Sequence, residues 1–103
     1  MRIGRVIGTV TLSRWHDSLC GGSCYKLTVP LSLSDLTGTT KPEAEPFVVY
    51  DELGAGVGSD IAISEGGEAA QPFYPELKPV DAYNAALLDN IQIEEPFKSR
   101  FII

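Results

Sequence analysis

Asp51-Glu52-Leu53-Gly54-Ala55-Gly56-Val57-Gly58 is the stretch that decides how this chain folds. It follows a continuous apolar run, Phe47–Tyr50, and precedes Ser59–Glu65, where Ile61 and Ile63 alternate with Asp60, Ala62 and Ser64. A dinucleotide fingerprint needs glycine, or at most alanine, at its sixth position and must open a helix. Here that position is Ser59, and strand-like alternation follows it. A phosphate loop fails too, because the chain contains no Gly-Lys pair. The glycines therefore read as backbone devices, supplying positive φ or admitting a second backbone at close range, within a subunit or between copies. On this reading the stretch is a crossing between two strands.

Strand patterns extend outward from that crossing. Arg2–Arg14 alternates, with Val6, Val10 and Leu12 on one face and Thr9, Thr11 and Ser13 on the other. Ile3 and Ile7 share the second face, a pattern that fits a bulge at Gly8. Trp15–Ser23 reads as a loop. Cys24–Leu33 sets Tyr25, Leu27, Val29, Leu31 and Leu33 against Lys26, Thr28, Pro30 and Ser32, and Pro30 belongs at a bulge or edge. Ser34–Pro46 is a polar loop, and Phe47–Tyr50 is expected as a strand buried on both sides. Gly66–Pro79 interrupts strand character, with short helical turns expected over Glu68–Gln71 and Pro79–Ala82. Ala85–Ile93 is the last strand, with Leu87, Ile91 and Ile93 in phase. Four to five short strands with glycine-marked bends predict an all-β small barrel or sandwich. Closure is favoured because it removes exposed sheet edges.

The chain has 103 residues and a formal net charge of −6. One domain of this size buries a modest core, and such domains are often supported by disulfides, metals or partner subunits. The eight Lys and Arg are scattered, which argues against nucleic acid, and the acidic balance disfavours anionic membranes. No run is long enough to span a bilayer, and Val6–Leu12 is interrupted by Gly8, Thr9 and Thr11, unlike a signal peptide. Two cysteines are too few for a secreted framework, so the cytoplasm is the expected compartment.

Few residues offer chemistry. His16, Cys20 and Cys24 form a conceivable three-ligand metal set, but the spacing is not that of paired zinc knuckles and no fourth ligand is evident. The blander reading is two reduced thiols flanking a Gly-Gly turn, and a disulfide there requires Cα atoms within about 7 Å. His16-Asp17 beside Ser13 and Ser18 cannot orient as a triad, and no nucleophile elbow occurs. Trp15, Phe73, Tyr74 and Phe97 fit subunit-interface anchors better than a base-stacking platform, because Arg and Lys are not interleaved with them. No catalytic residue, cofactor or metal is expected. An OB-type binding module for single strands or oligosaccharides and a small metal-dependent enzyme on His16, Cys20 and Cys24 are the alternatives.

Three blocks together resemble the pentameric vertex proteins of bacterial microcompartments, the carboxysome and ethanolamine-utilisation type. They are Met1–Val10, Val48–Gly58 with Asp51 before Gly-Ala-Gly-x-Gly, and Lys78–Ala82 followed by Leu87-Leu88-Asp89. The resemblance covers about residues 1–93, expected as a single β-barrel domain, with 94–103 a C-terminal tail. It implies a five-stranded OB-like β-barrel with one or two short helical turns, and a homopentamer. It also implies a structural role at the vertices of a shell in the cytoplasm, beside hexameric shell proteins. It places Gly54, Ala55, Gly56, Val57 and Gly58 near the five-fold axis and subunit contacts. Ile3 and Ile7, opposite Val6 and Val10, are available for a head-to-tail contact. Gly66–Ala70 departs from the Ser-Ser-Ala-Arg-like run of that family, and Phe73–Leu77 looks inserted.

Overall fold

The computed structural model describes residues 1–19, 24–75 and 79–94. Five strands close into a barrel: β1 (Arg2–Val10), β2 (Tyr25–Pro30), β3 (Phe47–Tyr50), β4 (Asp60–Glu65) and β5 (Ala82–Leu88). Around the barrel the order is β1-β2-β3-β5-β4. Every neighbouring pair is antiparallel except β3 and β5, which run parallel and meet at Tyr50 and Tyr83. The expected all-β barrel is therefore the fold. Among the described residues its helical content is a single turn, α1 (Leu33–Leu36), and a 3-10 segment over Gly66–Phe73 that contains the expected turn at Glu68–Gln71.

The pairing register fixes which side chains point inward. Gly4 faces Ile61, Val6 faces Thr28, and Thr28 faces Phe47. Val6, Thr28, Val49, Ile61 and Ile63 are the large, fully buried side chains. In β2 it is thus Thr28 that enters the barrel, while Leu27 and Val29 face out. Threonine is nearly isosteric with valine, and its hydroxyl is satisfied by donating to the Lys26 carbonyl oxygen at 3.3 Å. The bulge in β1 lies where the sequence placed it. The register shifts between Val6 and Gly8, so Ile7 has no partner across the ladder and is 46% exposed.

Several boundaries differ from the sequence reading. β1 stops at Val10 and β2 at Pro30, short of Arg14 and Leu33. Ser32 instead caps α1: its hydroxyl accepts the Asp35 N–H, while the Asp35 carboxylate accepts the Ser32 N–H at 2.9 Å. The Thr40 hydroxyl donates to that carboxylate at 2.6 Å, and this bond is the main reason its pKa lies below the usual range. β3 is not buried on both sides, because Val48 on its outer face is 44% exposed. No helical turn forms at Pro79–Ala82. The Asp81 carbonyl oxygen accepts the Gly66 N–H at 2.8 Å, and Ala82 already pairs with Glu65. β5 consequently begins at Ala82 rather than Ala85. It ends at Leu88 opposite Asp60, where β4 runs out of residues to pair with, so Ile91 and Ile93 fall outside it.

Around Tyr25 and Tyr50 the outer face of β2 and β3 carries a row of rings. Tyr25 and Tyr50 lie 5.6 Å apart, Phe73 sits 6.0 Å from Tyr50, and Tyr83 lies 5.5 Å from Phe73. Phe73 therefore belongs to the subunit's own packing, whereas Trp15 and Tyr74 are exposed; Phe97 lies outside the described residues.

Gly4 is the tightest point inside the barrel. A Cβ there would lie 2.6 Å from Ile63 Cδ1, 2.6 Å from Thr28 Cγ2 and 3.2 Å from the Val29 carbonyl oxygen. Gly4→Ala is expected to destabilise the fold by about 1–3 kcal/mol, the usual cost of overpacking. Urea denaturation checks this, and an unchanged midpoint would show that the core has room the register does not predict.

Candidate functional site

The glycine crossing is built around one carboxylate. Asp51 follows β3 directly, and its N–H donates to the Cys24 carbonyl oxygen at 2.8 Å, extending the β2–β3 ladder by one bond. Its side chain turns inward and the residue is 3% exposed. Oδ1 accepts from the Leu53 N–H at 2.9 Å and from Asn84 Nδ2 at 3.0 Å, and Oδ2 accepts from the Ala55 N–H at 2.7 Å. A carboxylate buried without such donors would be costly, and here three converge on it. Two of the three are consecutive odd positions of the crossing itself, so the carboxylate pins the chain as it leaves the strand.

The far end of the crossing is tied to β1. The Gly58 N–H donates to the Val6 carbonyl oxygen at 2.8 Å, the Val6 N–H to the Ser59 carbonyl oxygen at 2.9 Å, and the Ser59 N–H to the Gly56 carbonyl oxygen at 3.1 Å. Between these anchors the segment is two-sided. Ala55 packs into the core with Val6, Val49, Ile61 and Ile63, while Leu53 and Val57 project outward, 49% and 70% exposed. Gly54 and Gly58 have φ of +77° and +93°, a conformation that side chains with a Cβ rarely adopt. Gly56 differs from both: its φ is not positive, and a Cβ built on it meets nothing within 4 Å. Of the two roles expected for these glycines, positive φ accounts for Gly54 and Gly58. Neither role accounts for Gly56 inside the subunit.

Ile3 and Ile7 lie on the outer face of β1. Ile3 pairs with Ala62, and the next pair along is Arg5–Asp60, an ion pair at 2.8 Å. Arg2 closes a second pair with Glu65 at 2.6 Å and holds its guanidinium 4.8 Å from the Phe47 ring centroid. Arg2 keeps the Glu65 carboxyl below the usual range, chiefly through that hydrogen bond. Both pairs are partly exposed, so they contribute little stability; Arg5–Asp60 lies on the face of Ile3, whereas Arg2, in phase with Gly4 and Val6, lies on the other side of the strand.

Among the described residues no group of three or more His, Cys, Asp or Glu side chains is placed to hold a metal ion. His16 Nδ1 accepts from the Ser18 N–H at 3.1 Å and bonds the Ser18 hydroxyl at 2.7 Å. Cys24 is disulfide-bonded, which corrects the reduced-thiol expectation and leaves no thiolate there to bind a metal. Cys20 lies outside the described residues.

Sequence reasoning missed Asn84. It is buried on the inner face of β5 opposite Ile63, donates to Asp51, and accepts the Ala86 N–H on Oδ1 at 3.1 Å. The signal was present as one amide inside the otherwise apolar and aromatic run Ala82–Leu88.

Comparison with known proteins gives this geometry a family. Residues 1–89 match the model of the family described as ethanolamine utilisation protein EutN/carboxysome. The chain belongs to that family. It is 35% identical over 94 residues to the carboxysome shell vertex protein CcmL of Gloeobacter violaceus, covering 91% of this chain and 88% of that protein. It is 32% identical over 92 residues to the bacterial microcompartment shell vertex protein GrpN of Rhodospirillum rubrum, covering 89% of this chain and 97% of that protein. The Gloeobacter violaceus CcmL structure superposes with a TM-score of 0.73 at 30% identity, covering 91% of each chain. The Rhodospirillum rubrum GrpN structure, a pentameric microcompartment shell protein, superposes with a TM-score of 0.69 at 29% identity, covering 91% of this chain and all of that one. The three sequence blocks had pointed to this same family.

In this EutN/CcmL chain the Asp51 carboxylate organises the crossing. Asp51→Ala would strand the part-buried Leu53 donor, the buried Ala55 donor and the Asn84 amide, and is expected to cost about 3 kcal/mol. Asp51→Asn, which keeps the shape and one acceptor, should cost less. Denaturation midpoints together with amide exchange at Leu53 and Ala55 check the order, and equal losses for the two variants would refute it.

Proposed function

We propose that this chain is a non-enzymatic shell vertex protein whose five copies close into a ring at the corner of a microcompartment shell in the cytoplasm. Family membership and the vertex proteins it is similar to support the role, and the pentameric GrpN structure supports the number five. The ring's rim would meet the hexameric tiles of the flat facets. A cyclic assembly uses one heterologous interface repeated after a fixed rotation, so each subunit must present two different surfaces.

The observation that carries this reading is Gly56. Nothing inside the subunit demands glycine there, yet it stands between the exposed Leu53 and Val57 on a backbone held at both ends. Convergence of several copies supplies the demand, since only glycine leaves their backbones room to approach. In this arrangement Gly54, Gly56, Val57 and Gly58 lie near the axis and Ala55 anchors them from within. Ile3 and Ile7 on the outer face of β1 contact the neighbouring subunit. Burial of exposed apolar side chains between copies also stabilises a barrel whose own core is small.

Gly56→Trp is expected to abolish the ring while the barrel folds with nearly unchanged thermal stability. Native mass spectrometry reads the outcome against the wild-type ring at five times the 11.1 kDa chain mass. Unchanged pentamers in the variant would sink the axis assignment, and a wild-type monomer would sink the ring.

A further inference from the structure

Asn84 joins β5 to the crossing through its two ends. On one side its Oδ1 accepts the Ala86 N–H at 3.1 Å, spanning the place where β5 carries one residue more than β4. The ladder pairs Ala62 with Ala86 and Ile63 with Asn84, leaving Ala85 as the extra residue. On the other side its Nδ2 donates to Asp51 Oδ1 at 3.0 Å. That carboxylate in turn holds the N–H groups of Leu53 and Ala55. A continuous chain of hydrogen bonds therefore runs from the bulge in β5 to the crossing. Among the described residues no buried side-chain polar atom in this chain of bonds is left unpaired.

The chemistry of the pair is directional. A carboxylate only accepts, so a second carboxylate in place of Asn84 could not serve it; an amide can donate to Asp51 with one end and accept from the backbone with the other. Without that donor, the Asp51 carboxylate keeps only the Leu53 and Ala55 N–H groups, both from the crossing itself, and its side-chain tie to β5 is lost. The crossing would then lose the fixed height from which Leu53 and Val57 project.

We propose that Asn84 is a positioning residue for ring closure: by orienting the Asp51 carboxylate, it sets the placement of the segment 53–58 that meets the neighbouring subunits. This rests on the pentamer reading above. It makes assembly depend on a side chain that touches no other subunit.

The decisive variant is Asn84→Asp, which sets two carboxyl groups face to face. Such a pair cannot hold two charges at short range, so one of its pKa values rises. At low pH the shared proton restores a donor between the two groups. As pH increases through the raised value, that donor is lost and the groups repel. Other charged groups nearby have their own partners: Arg2 with Glu65 and Arg5 with Asp60 at the two ends of β4, and the Tyr50 hydroxyl with Glu52 beyond β3. Across β4, Asn84 faces the apolar Ile63.

The full chain and its variants are compared by native mass spectrometry, circular dichroism and amide exchange from about pH 5 to about pH 8. Wild type is expected to form rings equally well throughout. Asn84→Asp should form rings near pH 5 and about tenfold fewer near pH 8, a size typical of the coupling between directly contacting groups. Protection of the Leu53 and Ala55 amides should fall in parallel while the barrel stays folded. The double variant Asp51→Asn with Asn84→Asp restores a donor between the two groups and should recover part of the rings lost at pH 8, short of wild type because the amide at 51 accepts from only one of the Leu53 and Ala55 N–H groups. Rings and amide protection that stay at wild-type levels in Asn84→Asp would overturn the proposal. So would loss of rings only together with global unfolding that the double variant does not reverse. If wild type itself forms no pentamer, the ring reading fails on that result alone, and the exchange data still decide whether Asn84 positions the crossing.

Discussion

The constraint on which the rest of the structure depends is the need to satisfy the backbone of a sharp crossing at the edge of a small core. Where β3 ends, the chain must turn across the barrel mouth and reach β4, and the N–H groups of Leu53 and Ala55 have no strand to bond. Buried backbone donors almost always find partners. Here a single acidic side chain supplies both, and the same carboxylate takes up the amide of Asn84. Replacing it with an apolar residue would leave three donors stranded. Several structural features follow from that one arrangement: the inward seat of Ala55, the left-handed glycines at either end of the turn, and the outward projection of Leu53 and Val57.

The crossing also fastens the barrel. β3 and β5 touch as strands only at Tyr50 and Tyr83, which is the weakest seam in the closed sheet. Just beyond that seam, Asp51 and Asn84 bridge the same two strands by side chain, and the ring row Tyr25, Tyr50, Phe73 and Tyr83 covers it from outside. On the opposite side, the bonds from Gly58 and Ser59 to Val6 splice the end of the crossing onto β1. The segment expected to meet other copies is therefore part of the closure of its own subunit, which makes it rigid before any neighbour arrives. Rigid elements lose less entropy on association than loops that must order first.

Much of this was legible in the sequence, for identifiable reasons. β3 and β4 were marked by glycine and proline on either side, and the bulge at Gly8 by an apolar pattern that changed face. The family was legible because Asp51 before Gly-Ala-Gly-x-Gly is a specific combination, and the structure supplies its physical cause in the carboxylate's three donors. Thr28 was misread because hydropathy patterning counts threonine as polar, whereas in a narrow barrel its shape matters more and its hydroxyl is satisfied locally. Val48 was misread because a four-residue apolar run does not reveal which face is covered. The limits of β5 depend on where β4 ends, a tertiary fact absent from the local pattern. α1 was legible in principle, since Ser32-Leu33-Ser34-Asp35 has capping-box spacing, but the apolar alternation continuing to Leu33 obscured it. Asn84 looked like a blemish in a strand because its partner lies far away in sequence.

In the proposed ring, charge explains the composition of the segment 53–58. Each chain carries a formal −6, so the five copies of the proposed ring would carry five times that, −30. Bringing acidic subunits together is opposed by their mutual repulsion, most severely at the axis, where equivalent groups from all five come closest. Leu53–Gly58 contains no ionisable side chain at all. The acidic residue just before it, Glu52, accepts the Tyr50 hydroxyl at 2.6 Å, and Asp51 is turned inward and spent on the subunit's own backbone. On β1 the charges that flank Ile3 are neutralised in pairs, Arg5 by Asp60 and Arg2 by Glu65, before a neighbour is met. The chain thus keeps its net negative charge away from the surfaces that the proposed ring brings together. The carboxylate nearest those surfaces remains, but as an internal acceptor whose charge is met by three donors of its own subunit rather than by the carboxylates of its neighbours.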